Sequence, residues 1–266
     1  MLKYKEWSED YEKIDNISSG TYGKVIKVRK KNTDVYRALK LIDKNKFFKI
    51  DALKNEVNLM KKIENDNSVK IYDQYNSKEE YVIVMELCDC NLKERLDETS
   101  NGLKVIEIKN ILIQLNNTFR KMVDNKIIHR DIKLENILLK YDKNKKYIVK
   151  LCDYGVSKQL ETLSKEKQSF AGTNLIMSPE VLKDEPYNNK CDLWSLGVII
   201  YQLCFKEFPY DANSQYGIIM KIEQSKQENF KKTYNYNLDD LIRKLLIPNP
   251  DERITWDQYF NHPFFK

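Results

Sequence analysis

The sequence predicts an α+β chain in which strands come first and helices follow. Residues 11–42 alternate apolar and polar positions, as half-buried strands do, in three runs separated by turn residues. Tyr81-Val82-Ile83-Val84-Met85 is a short unbroken apolar run of strand length. From Ile108 onward, apolar residues recur at Ile111, Leu112, Leu115, Phe119 and Met122, the stripe of an amphipathic helix.

Length and composition bound the reading. A chain of 266 residues suits one large domain or two lobes sharing a cleft, and we treat 1–266 as a single domain. The net charge of +6 is spread with Lys and Asn over most loops. That describes a solvated surface and gives no basic stripe for a nucleic-acid partner. Met1 to Trp7 holds no apolar run, so no signal peptide is expected. Leu193 to Phe205 is too short for a membrane span and reads as a buried helix. The five cysteines are odd in number and form no C-x-x-C pair, which suggests reduced thiols and a cytoplasmic or nuclear location. Only seven glycines occur, so each is expected where backbone turns sharply or approaches a ligand.

Taken in order, the first strand, Tyr11 to Ile17, leads into Ser18-Ser19-Gly20-Thr21-Tyr22-Gly23, and Lys24-Val25-Ile26-Lys27-Val28 leaves it. A hairpin with glycines in its turn can lay backbone N–H groups over a triphosphate. The third strand, Val35 to Ile42, puts Ala38 and Lys40 on one face. A small Ala leaves room for a flat base, and a Lys two positions on can reach phosphate. Asp51 is placed to cap a helix bearing Leu53, Glu56 and Met60 on one face. A Glu among apolar neighbours needs a partner, and Lys40 is the natural one.

The helix from Ile108 delivers the chain to His129-Arg130-Asp131-Ile132-Lys133-Leu134-Glu135-Asn136, followed downstream by Asp153-Tyr154-Gly155. Asp131 can accept the proton of an incoming hydroxyl, and Lys133 can lean on a transferring phosphate. Asn136 and Asp153 offer the hard oxygen ligands that Mg²⁺ prefers.

These segments, in this order and at these spacings, resemble the catalytic domain of eukaryotic serine/threonine protein kinases from about Tyr11 to Phe265. The resemblance implies a bilobal fold: a small antiparallel sheet with one helix over 11–85, a hinge at 86–91, and a larger, mainly helical lobe over 92–266. It implies ATP and Mg as cofactors and protein substrates with Ser or Thr acceptors. Asp131, Lys133, Lys40 and Glu56 become the catalytic set, with Asn136 and Asp153 as metal ligands. Ile17 to Val25, Ala38, Lys40, Met85, Glu86, Cys88 and Leu138 become the nucleotide site. Backbone groups after Met85 would pair with adenine, and Asp89 or Asn91 would meet the ribose. Ser18 stands where the family has its first glycine, Tyr154 where it has Phe, and Ser178 where it has Ala before Pro179-Glu180.

The same resemblance makes 156–180 an activation segment, with Ser169 as the phosphate acceptor, Arg130 as its clamp and an upstream activating kinase as a partner. Asp192 would brace the His129-Arg130-Asp131 turn, and Arg253 would pair with Glu180. Lys133 and Thr173 fit the serine/threonine pattern. The wording around Asp131 resembles the calmodulin-dependent and AMP-activated relatives. A pseudokinase scaffold is the alternative reading. A small-molecule kinase lacks support, since Gly172-Thr173 to Glu180 resembles protein-substrate machinery.

Overall fold

The structure is a computed structural model; it describes residues 2–20, 23–45, 50–153, 158–159, 175–225 and 229–266, without the side chains of 50–53, 55, 56, 158 and 159. Two compact units emerge: Met1–Asp89 with Leu138–Gly155, and Cys90–Ile137 with Val156–Lys266.

The first unit is built on a sheet of β1 (Leu2–Lys3), β2 (Tyr11–Gly20), β3 (Gly23–Lys30), β4 (Tyr36–Asp43), β5 (Ile71–Asn76) and β6 (Glu80–Met85). Its strand order is β1-β5-β6-β4-β3-β2, antiparallel throughout except for the parallel β1–β5 pair. Helix α1 (Ile50–Lys62) lies between β4 and β5 in sequence. It begins one residue ahead of Asp51, which therefore sits in the first turn and not at the expected cap.

Strand alternation sorts this sheet's apolar residues into two cores. Ile26, Val28, Leu39, Leu41, Tyr75, Val82 and Val84 pack with Tyr11 on one face. Ile42, Tyr81 and Ile83 pack with Val57 of α1 on the other, joined by the partly buried Leu2, Ile71 and Met85. Ala38 and Lys40 share this second face by register, since Lys40 lies opposite Ile83 and Ala38 opposite Met85.

The second unit starts with β7 (Cys90–Asn91), α2 (Leu92–Asp97), α3 (Val105–Asp124) and β8 (Ile127–Ile128). The chain then returns to the first unit in β9 (Ile137–Tyr141) and β10 (Tyr147–Leu151), joined by a turn in which Asp142 Oδ1 accepts the N–H groups of Asn144 and Lys146, each at 2.8 Å. After β11 (Lys158–Gln159), which pairs with β8, come α4 (Pro179–Leu182), α5 (Lys190–Phe205), α6 (Gln215–Gln224), α7 (Tyr236–Leu245) and α8 (Trp256–Phe260). The stripe read from Ile108 to Met122 is the buried face of α3. Helix α5 is buried on every side from Cys191 to Leu203, as its composition requires. Among the described residues no helix is long and apolar enough to cross a membrane.

Candidate active site

Within the second unit, the chain between β8 and β9 forms a tight polar turn. Asp192, in the first turn of α5, is almost fully buried, and its two oxygens accept the N–H groups of His129 (2.8 Å) and Arg130 (2.9 Å). This brace matters because Arg130 has φ of 67°, a left-handed backbone that a long side chain adopts only when its surroundings hold it there. The buried His129 adds a third tie, its Nδ1 accepting the Asp131 N–H at 3.3 Å.

The turn brings two predicted residues onto the carboxylate of a third, Asp131. Lys133 Nζ lies 2.6 Å from Asp131 Oδ2, and Asn136 Nδ2 donates to the same oxygen at 2.9 Å and to the Asp131 carbonyl at 2.8 Å. Two donors on Oδ2 fix the carboxylate's rotation, with Oδ1 as its other acceptor. Asn136 is buried and spends its amide N–H groups on Asp131. Its carbonyl oxygen is the group left to a metal ion.

Burial raises the Asp192 carboxyl to about 6 against the backbone hydrogen bonds from His129 and Arg130, which offset that rise from the ordinary 3.8 only in part. Between those two values the folded chain holds more protons than the unfolded chain, so this group's contribution to stability falls as pH rises from about 4 to about 6 and is flat above. Asp192→Asn removes that dependence. It also loses an acceptor for one of the two N–H groups, at a cost of about 1–3 kcal/mol. Chemical denaturation of parent and variant from pH 4 to 8 checks both effects; parallel stability curves would refute the assignment.

The first unit holds the other predicted residues. Lys40 Nζ on β4 lies 2.8 Å from Asp153 Oδ1, just beyond β10. Asp153 also has a left-handed backbone, φ 61°. The expected Lys40–Glu56 pair lies outside the described residues, as the Glu56 side chain is not among them. Ser18 pairs with Val25, Ser19 with Lys24 and Gly20 with Gly23, so the glycine hairpin forms as predicted. Its tip, Thr21 and Tyr22, lies outside the described residues. Gly23 has a packing reason to be glycine: a Cβ there would sit 1.9 Å from the Leu41 carbonyl oxygen on β4. Ile17, Ser18, Ser19 and Lys24 are exposed, Val25, Met85 and Leu138 half-buried, and Ala38 buried.

After β6 the backbone differs in detail from the expectation. The Glu86 N–H is spent on the Lys70 carbonyl at 2.9 Å, so it does not serve adenine, and the Glu86 carbonyl is its remaining backbone group. Burial pushes the Cys88 thiol up to about 12. Asp89 Oδ2 accepts the Tyr141 N–H at 2.7 Å, and the Asn91 side chain caps α2. Both residues offered for ribose thus have structural partners.

Sequence reading misses an ion-pair network around a buried carboxylate in the same unit. Glu86 receives Lys140 Nζ at 2.7 Å and Lys150 Nζ at 3.0 Å, and Lys150, itself buried, also donates to the Asp66 carbonyl at 2.8 Å. Burial works against ionising Glu86, but the two lysines outweigh it and its carboxyl is lowered. The network fixes the end of β6 to the strand that leads to Asp153. A Lys in the pattern Val149-Lys150-Leu151 gives no sign of being buried, so only its position before Asp153 could draw notice.

In the second unit, Arg253 and Glu180 form the expected pair. It is bidentate, at 2.7 and 2.9 Å, with both side chains buried. The Ser178 hydroxyl beside it is buried, with no hydrogen-bond partner among the described residues. Arg130 Nη1 meets the Tyr187 hydroxyl at 3.0 Å. A cavity of about 390 Å³ lies beside the turn at 129–136, lined by Lys133, Glu135, Ile176, Gln202, Lys206 and Phe208 among others. Ser169, Gly172, Thr173, Tyr154 and Gly155 lie outside the described residues.

The family model for the protein kinase domain matches residues 11–265. The chain is 34% identical over 262 residues to the serine/threonine-protein kinase TIO of Arabidopsis thaliana, covering 97% of this chain and 19% of that protein. It is 31% identical to serine/threonine-protein kinase Nek5 of Mus musculus, covering 97% of this chain and 41% of the relative. It is also 31% identical to calcium-dependent protein kinase 5 of Plasmodium falciparum, covering 100% and 47%. The chain therefore spans less than half the length of each of these relatives.

Proposed function

Because the chain belongs to the protein kinase domain family, of the serine/threonine kind, we propose that it transfers the γ-phosphoryl group of ATP to Ser or Thr hydroxyls of protein substrates. The convergence of Lys133 and Asn136 on one oxygen of Asp131 carries this reading. An oriented carboxylate is what a hydroxyl needs as it attacks the γ-phosphorus: it accepts the hydroxyl proton as the new P–O bond forms and the bond from the γ-phosphorus to the β,γ-bridging oxygen breaks, ADP leaving with that oxygen. Lys133, at the same carboxylate, can then stabilise negative charge on the transferring group. Lys40 supplies a second cation for the phosphates of ATP, and its ion pair with Asp153 holds that carboxylate in place.

Asn136 and Asp153 would hold Mg²⁺. Their donor set fits, being an amide carbonyl and a carboxylate with no soft ligand. The bound ion would neutralise phosphate charge. The scaffold alternative has little support in the residues themselves, since Lys40, Asp131, Asn136 and Asp153 are all present. The five cysteines, odd in number and without a C-x-x-C pair, are the basis for proposing a reducing compartment, the cytoplasm with access to the nucleus.

The test is incubation of pure protein with Mg-ATP and a basic protein, followed by intact mass and phosphosite mapping, with Asp153→Asn alongside. Phosphate on Ser or Thr from the parent alone supports the reading. Absence of transfer, before and after treatment with an activating kinase, sinks it in favour of the scaffold.

Regulation by an upstream kinase at Ser169 belongs to the same proposal. A phosphate there adds about −1.5 to −2 charge, which the Arg130 guanidinium can receive. Ser169→Ala is expected to leave the unphosphorylated activity unchanged and to abolish the increase that an activating kinase produces in the parent. Equal stimulation of both proteins would remove Ser169 as the switch.

A further inference from the structure

Residues 2–10 precede the span matched by the family model, yet they are bound tightly to the first unit. Strand β1 pairs in parallel with β5, Leu2 opposite Gln74 and Lys3 opposite Tyr75. Alternation then sends successive side chains to opposite faces of the sheet. Leu2 joins the cluster of Ile42, Val57, Tyr81 and Ile83. Lys3 goes to the other face, with Nζ 2.9 Å from Asp73, 3.3 Å from the Tyr75 hydroxyl and 5.1 Å from the centre of the Tyr75 ring.

The segment is tied again further along. Trp7 packs on the core formed by Tyr11, Leu41, Tyr75 and Val82, and its Nε1 donates to Glu80 at 3.2 Å. Asp10 receives Lys5 Nζ at 2.8 Å as well as the Tyr75 hydroxyl. These two hydrogen bonds hold its carboxyl down at about 2. The Asp10 carbonyl accepts the Lys31 N–H at 2.9 Å, and the Ser8 carbonyl accepts Lys31 Nζ at 2.7 Å. A connection that only led into β2 would need none of this.

What the segment reaches is specific. Val57, the α1 member of the cluster under Leu2, is the residue after Glu56. Helix α1 packs on β5, the strand that β1 pairs with. We propose that residues 2–10 are an intramolecular strap that holds α1 against the sheet and so positions Glu56 for Lys40. The strap is a positioning element and touches no reacting atom. Its catalytic consequence rests on the phosphotransfer reading above; its mechanical consequence does not.

Hydrogen–deuterium exchange and steady-state kinetics on the full chain test both, using Leu2→Asp and the conservative Leu2→Met. In Leu2→Asp, amides of residues 57–62 exchange about tenfold faster, a change of about 1.4 kcal/mol, while those of β4 and β6 hold the parent's rates. The kcat falls by a similar factor, the KM for protein substrate is unchanged, and Leu2→Met restores both. Parent-like exchange in 57–62 would overturn the proposal, as would exchange that rises equally through the whole first unit. If the parent transfers no phosphate, the phosphotransfer reading fails and the exchange rates alone decide the strap. Should Leu2→Asp not fold, Lys3→Met, which cuts the ties to Asp73 and Tyr75, is read in the same way.

Discussion

Asp131→Asn lowers kcat by about 10²–10⁴-fold, the range for removal of a positioned general base, with little change in the KM for ATP or in thermal stability. The side chains are nearly the same size, and an amide oxygen can still accept from Lys133 Nζ or Asn136 Nδ2, which now lie 2.6 and 2.9 Å from Oδ2. The turn keeps its shape because its braces are elsewhere, in the bonds of Asp192 to the His129 and Arg130 N–H groups. The amide cannot take up a proton, and it leaves Lys133 without its countercharge. Loss is therefore expected in kcat and in kcat/KM for the protein substrate alike, the pattern of an interaction made mainly in the transition state. Steady-state kinetics with parallel melting curves check it. A variant that kept most of the parent's kcat would remove Asp131 from the path of the proton.

The residues in that prediction are legible in the sequence because their chemistry depends on spacing along one short loop. Five positions separate Asp131 from Asn136, and the 3₁₀ turn Leu134–Asn136 folds the second back onto the first. The Lys40–Asp153 pair is half legible: both residues stand out in the sequence, but Lys40 points there to Glu56, and a link across more than a hundred residues has no local sign. Strands read from alternation lie where expected, since period-2 patterning over five or more residues is a strong signal.

Three features stay hidden for different physical reasons. Strand β1 is two residues long, too short for any period to register, and its pairing is non-local. The Lys140–Glu86–Lys150 network depends on burial of charges that sequence reading assigns to solvent by default. Gly23 reads as a place of ligand approach or turning, whereas a strand neighbour already excludes a side chain there. Each depends on what lies opposite a residue in space, which one-dimensional pattern does not carry.

Arg253→Met is expected to destabilise the protein by about 3–5 kcal/mol, the usual result of removing one partner from a buried ion pair. The guanidinium is fully buried, and it does more than neutralise Glu180. Its Nε donates to the Ile247 carbonyl at 2.9 Å, Nη1 to the Lys190 carbonyl at 2.9 Å and Nη2 to the Pro248 carbonyl at 3.0 Å. Its loss strands a carboxylate and takes one donor from each of three carbonyls. Glu180→Leu combined with Arg253→Met removes the stranded charge and is expected to recover part of the loss, leaving the three carbonyls as the residual cost. Chemical denaturation of the two single variants and the double variant closes the cycle, and strict additivity would show that the pair is not energetically coupled. The kinetic readout is a separate matter. Glu180 lies in α4 directly after Ser178-Pro179, at the end in sequence of the segment that carries Ser169 and Thr173, so the pair anchors the chain at that end within the second unit. If the double variant regains stability but not kcat, the ion pair serves to place that segment. If both return together, packing at this point suffices and the charges are dispensable.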